Sequence, residues 1–107
     1  MFFKYPQDFT CIDYKPGEKA EYVWGKGILL ARVLVNSETA GSVHNWEQIS
    51  LVQDGEFEFD IGGEKRRVKK GDAFYIPAGV RHAVTRVIAR PIEIIDVWPK
   101  GGPDIPE

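Results

Sequence analysis

Only two histidines occur in the chain, His44 and His82, and the side chains best suited to chemistry gather around them. His44, Trp46 and Gln48 share one parity, so a strand aims an imidazole, an indole and an amide at the same face. Imidazole carries protons near neutral pH and binds transition metals. On the inward face of a sheet it can equally be a hydrogen-bonded core group. Asp96 has the parity of Ile92, Ile94 and Trp98, which puts a carboxylate on an otherwise apolar face. Burying a carboxylate without partners is costly. Two readings stay open: Asp96 is paired, with Arg32 or Arg81 as the candidate cation, or it is a tuned acid–base group in a pocket. The single cysteine, Cys11, has no Cys–His signature beside it and is expected as a small buried thiol.

The elements that must position these residues read as strands. Apolar residues repeat with period two, and glycine and proline punctuate the chain at short intervals. No helix is expected. Gly25 and Gly27 bracket a bend before an apolar strand over Ile28 to Val35. Trp46 to Gln53 reads as a strand ending at an Asp54-Gly55 hairpin turn. Glu56 to Ile61 alternates, with Phe57, Phe59 and Ile61 on one face, and Gly62-Gly63 turns it back through Glu64 to Lys70. Gly71-Asp72 is a turn, Ala73 to Ile76 a short strand, Pro77-Ala78-Gly79 a tight corner. Val80 to Ile88 and Ile92 to Trp98 follow as strands. Eight or more short antiparallel strands in one domain require a sandwich or a barrel to cover their faces.

The 107 residues suit one domain. A balance of 14 Lys+Arg against 16 Asp+Glu argues against nucleic acid or an anionic membrane as partner. The one basic run, Lys65 to Lys70, lies between two turns and is expected to be a solvated strand face, with anion binding the lesser reading. The first residues lack a basic stretch followed by a long apolar run, so no signal peptide is expected. With one cysteine there is no disulfide framework, and a reducing cytoplasm is the expected setting.

Two stretches carry a resemblance to a known family. Gly71-Asp72-Ala73-Phe74-Tyr75-Ile76-Pro77-Ala78-Gly79-Val80-Arg81-His82 resembles the second cupin motif at every fixed position. Arg86 stands where an Asn sometimes follows. The first cupin motif is present in altered form in Ser42-Val43-His44-Asn45-Trp46-Glu47-Gln48: counting back from Gly55, Gln48 takes the Glu/Gln position and His44 the second His. Ser42 replaces the first His, and Trp46 another His of a family variant. The resemblance runs from Ala31 to Trp98 and implies an all-β jelly-roll barrel. The barrel would span about 28–98, with an N-terminal arm at 1–26 and a tail at 99–107.

Within that superfamily the chain is most similar to small single-domain cupins of pectin and alginate breakdown, which act on unsaturated uronates. Glu47-Gln48, Asp54-Gly55-Glu56, Gly62-Gly63-Glu64 and Ile95-Asp96-Val97-Trp98-Pro99 carry this likeness. It implies a divalent transition metal (Zn, Ni, Mn or Fe) on His44, Gln48 and His82, weak or absent because Ser42 is a poor ligand. Asp96 would move the proton. Ser42, Trp46, Tyr75, Trp98 and Arg32 would contact a small sugar-acid or carbonyl substrate, and Glu47 should point away. The other reading is a metal-free binding module with the same pocket. A homodimer through edge strands is also implied, with Phe2 to Phe9 as the candidate contact.

Overall fold

Period-two alternation becomes seven antiparallel strands in the computed structural model, which describes residues 1–15 and 18–99. They are β1 (Thr10–Lys15), β2 (Glu18–Trp24), β3 (Ile28–Val35), β4 (Gln48–Ile61), β5 (Glu64–Lys69), β6 (Ala73–Ile76) and β7 (His82–Pro99). The strand order is β1-β2-β3-β7-β4-β5, with β6 paired to β4. The sheet wraps into a jelly-roll-like barrel. Its interior holds Tyr22, Val52, Phe57, Ile76 and Ile92, all fully buried. Each such side chain contributes about 1.5–3 kcal/mol through burial.

Two strands do most of the wrapping. β4 has 14 residues and β7 has 18. The first half of β4 pairs with the second half of β7 (Ile49↔Val97 to Val52↔Ile94), and its second half with the start of β7 (Phe57↔Val87 to Ile61↔His82). Asp54-Gly55, expected to be a hairpin, is instead an irregularity inside β4, with register shifts on both sides. Gly55 sits at φ +87°, and a Cβ there would lie 2.3 Å from the Pro91 carbonyl oxygen. The glycine therefore lets β7 pass close by at a bulge. The bulge also changes parity: Gln48, Ser50 and Val52 face inward before it, Phe57 and Phe59 after it. Val80 to Ile88 and Ile92 to Trp98 likewise merge into one strand. The expected eight or more short strands are thus seven among the described residues.

The expected arm at 1–26 is largely sheet. β2 pairs with β3 along its whole length, from Glu18↔Val35 to Trp24↔Leu29, and buries Ala20 and Tyr22. In β1, Ile12 packs against the core and Cys11 is exposed. The expected buried thiol is corrected by parity, because inward Ile12 turns its neighbour to solvent. The basic run lies on exposed β5, where Arg67 pairs with Glu56 and Arg66 with Glu64. The expected tail lies, but for Pro99, outside the described residues.

Candidate functional site

The segment between β3 and β4 positions the first histidine. It runs along the start of β7 as a near-strand. Thr39 N–H donates to the Val84 carbonyl (2.9 Å), and the Val84 N–H donates to Thr39 Oγ1 (2.8 Å). Ser42 and His82 exchange both backbone hydrogen bonds, at 2.9 and 3.0 Å. The Gly79 N–H then donates to the His44 carbonyl at 2.6 Å, tying the Pro-x-Gly corner to the first motif. Arg81 donates to the Ala40 carbonyl at 2.7 Å. Gly41 beside it sits at φ +99°, a backbone conformation that favours glycine at this crossing.

These ties bring the residues of the two motifs to one cavity of about 60 Å³ in the barrel mouth. Ser42, His44, Trp46, Gln48, His82, Asp96 and Trp98 line it. The His44 and His82 ring centres are 4.6 Å apart at 70°. Trp46 stacks on His44 at 4.4 Å and 5°, so the indole occupies a face of that imidazole. Phe59, Phe74 and Val84 form apolar wall. The indole N–H groups of Trp46 and Trp98 are buried with no hydrogen-bond partner. The two tryptophans thus bring two donors to the cavity.

Asp96 is 9% exposed. Its expected guanidinium partners are engaged elsewhere: Arg81 with Ala40 as above, Arg32 with Glu93. Asp96 instead accepts a hydrogen bond from the Ser50 hydroxyl at 2.6 Å, and Ser50 accepts one from Gln48 Nε2 at 2.9 Å. Ser50 is directly opposite Asp96 in the β4–β7 register. Sequence reading missed Ser50. Its signal was its parity with Gln48 on an inward face.

Two expected contacts lie outside the cavity. Arg32 alternates with buried Ala31 and Val33, so it faces outward, beneath the Tyr5 ring at 4.0 Å. Burial works against its charge, but the hydrogen bond and charge of Glu93 outweigh it and hold the guanidinium pKa up. Tyr75 is opposite Ile49 on the outer face, half exposed, and its hydroxyl donates to Glu47 at 2.9 Å. That hydrogen bond, with some desolvation, raises the phenol pKa. Glu47 does point away, as expected.

The donor set can be tested against a metal. His82 Nδ1 is 3.1 Å from the Val80 carbonyl. As a donor to that oxygen it leaves the lone pair on Nε2, the usual support of a ligating imidazole. The two ring centres, 4.6 Å apart, put both imidazoles side by side on the same cavity. Gln48, its nitrogen turned to Ser50, has its oxygen to offer. Among the described residues no group of three or more His, Cys, Asp or Glu could hold a metal ion, so a third donor beside the two imidazoles would be a neutral amide. The set fits a weakly held borderline cation.

The Cupin domain family (Cupin_2) matches residues 30–98. An RmlC-like cupin from Shewanella frigidimarina superposes with a TM-score of 0.79 at 22% identity, over 97% of this chain and 95% of that one. KdgF from a Halomonas species superposes with a TM-score of 0.79 at 25% identity, over 92% and 93%. The polyketide cyclase RemF from Streptomyces resistomycificus gives 0.77 at 21%, over 96% and 82%. With the family matched from β3 to the end of β7 and the same barrel recovered along nearly the whole chain, the protein belongs to the cupins.

Proposed function

We propose that the barrel mouth binds the oxygen-bearing end of a small sugar-acid or carbonyl compound and turns it over with a divalent transition metal. His44, Gln48 and His82 would hold the ion, which supplies polarisation of a ligand oxygen. The observation that carries the reading is the pair of imidazoles with centres 4.6 Å apart on a cavity that also contains a buried carboxylate. Asp96 accepts the proton removed from the ligand at a carboxylate oxygen and returns it to a neighbouring atom, while the Ser50 hydrogen bond holds the carboxylate in place. Phe59, Phe74, Val84 and Trp98 exclude water around that transfer. A volume of about 60 Å³ holds roughly four to six water-sized groups, so only the reacting end of a sugar acid enters. Isomerisation or elimination next to a carbonyl is the matching reaction class, and uronate linearisation is one such reaction. The likeness to small uronate cupins and the 25% identity to KdgF support it.

The same reading includes a reducing cytoplasm, to which the single exposed thiol is suited, and pairing of two copies through the outer sheet face. The test is metal content by elemental mass spectrometry on tag-free protein, beside His82→Ala and Asp96→Asn, with a uronate and 2-oxo-acid turnover screen. Near one equivalent of a single metal, lost in His82→Ala, and turnover lost in Asp96→Asn are expected. No metal after incubation with Zn, Ni, Mn and Fe(II) would leave a metal-free binding pocket. Turnover unchanged in both variants would overturn the assignment of the site.

A further inference from the structure

We propose that Ser50 is a positioning residue that fixes which end of the Gln48 amide serves the barrel mouth. A hydroxyl has one proton and two lone pairs, and an ionised carboxylate only accepts. The Ser50 hydroxyl donates to Asp96 Oδ1 at 2.6 Å, so its one proton is spent there. It is left as an acceptor toward its other neighbour, and Gln48 Nε2 donates to it at 2.9 Å. With the nitrogen committed, the amide oxygen is the end available to the cavity that Gln48 lines. The reverse orientation would set the amide oxygen against a serine oxygen whose proton is already used, an unmade hydrogen bond in a buried place.

The device is built into the sheet. Gln48 and Ser50 share the inward face of β4, and Ser50 is the direct cross-strand partner of Asp96 on β7. All three are nine-tenths or more buried, so water does not compete for these bonds. Glutamine alone is ambidentate. Held by Ser50, it turns its nitrogen to the serine and its oxygen away from it, and that oxygen can ligate a cation or accept a hydrogen bond from a ligand. The inference rests on the proposed function for the use made of that oxygen, but the polarity itself can be read without any ligand.

The chain has three glutamines, Gln7, Gln48 and Gln53, so the Gln48 side-chain amide can be assigned by ¹⁵N NMR from its loss in Gln48→Glu. Its protons should exchange with solvent more slowly than those of Gln7 and Gln53. Ser50→Ala should speed that exchange at least about 10-fold and weaken Co(II) binding about 10- to 100-fold, as loss of an outer-shell partner does. Ser50→Thr, which keeps the hydroxyl, should recover both. Asp96→Asn supplies a second route if Ser50→Ala does not fold: an asparagine N–H can donate to Ser50, free the serine proton and release the Gln48 nitrogen. Exchange of the Gln48 amide unchanged in a folded Ser50→Ala or Asp96→Asn protein overturns the proposal. A protected amide that responds to both variants, in a protein that binds no Co(II), confirms the role of Ser50 and removes the metal from the proposed function.

Discussion

Ser42 is the residue at which this site departs most from its family pattern, and it is also where the structure makes the departure testable. Its backbone pairs with His82 and it lines the cavity, so a side chain there starts beside the imidazole of His82. Ser42→His should add a third nitrogen donor and raise Co(II) or Zn(II) affinity by at least about 10-fold, since imidazole is a far better ligand than hydroxyl. Calorimetric titration of both proteins checks this, and equal affinities would show that the site does not hold metal through His44 and His82. The histidines, Gln48, Asp96 and both lining tryptophans were legible because motif spacing and strand parity agree for them. Arg32 and Tyr75 were drawn to the site by their chemistry, although each alternates with inward residues and so faces outward. Ser50 was missed because its one signal, parity with Gln48, places it inward without naming its cross-strand partner Asp96, and register is a property of the folded sheet.

Elements were legible where an apolar run or an alternation was uninterrupted, as in β3 and the second half of β4, and illegible where two strands turn a corner together. Asp54-Gly55 carries a strong hairpin signal, yet β4 continues through it because β7 bends alongside and the glycine accommodates the close approach of Pro91. Gly55→Ala should cost about 2–4 kcal/mol from positive-φ strain and overpacking against backbone, read as a lowered urea midpoint. A loss under about 0.5 kcal/mol, the ordinary surface range, would mean that the bulge can relax. The loop before β4 has its own anchor. Glu38 accepts the Val87 N–H at 2.7 Å, and this backbone hydrogen bond is the main cause of its lowered pKa. A depressed carboxyl pKa stabilises above the unfolded value, near 4.3, and the contribution is lost as pH falls through the folded value. The stability difference between wild type and Glu38→Gln should therefore be present at pH 7 and shrink on acidification below about pH 4. A difference that stays constant to pH 3 would show that the charge is not involved.

The outer face is the whole-molecule feature that a lone barrel leaves unexplained. Tyr75, Ile49, Val97 and Leu30 form one continuous row across β6, β4, β7 and β3, with Leu51 and Ile95 paired in the next row. Ile49 is 55% exposed, Leu51 42% and Ile28 58%. Ile49 and Ile28 line a groove of about 350 Å³ that also includes Tyr75, Val97 and Pro99. The pairing of two copies proposed above would cover this contiguous apolar surface. Tyr5 lies on Arg32 and hydrogen-bonds Glu21, which fixes the aromatic N-terminal segment to the same side of the sheet, with Phe2 and Phe3 exposed. A twofold pairing of two such faces covers both patches at once, because each copy presents the surface that the other needs. Sedimentation equilibrium should then give twice the 12.1 kDa chain mass at micromolar concentration. Ile49→Arg, which places an unpaired charge in the contact, should give the single-chain mass, with the metal content of the barrel mouth unchanged because Ile49 faces away from it. A wild-type protein that remains single at high micromolar concentration would exclude the pairing. A dimer unaffected by Ile49→Arg but lost on removal of residues 1–4 would move the contact from the sheet face to the aromatic segment.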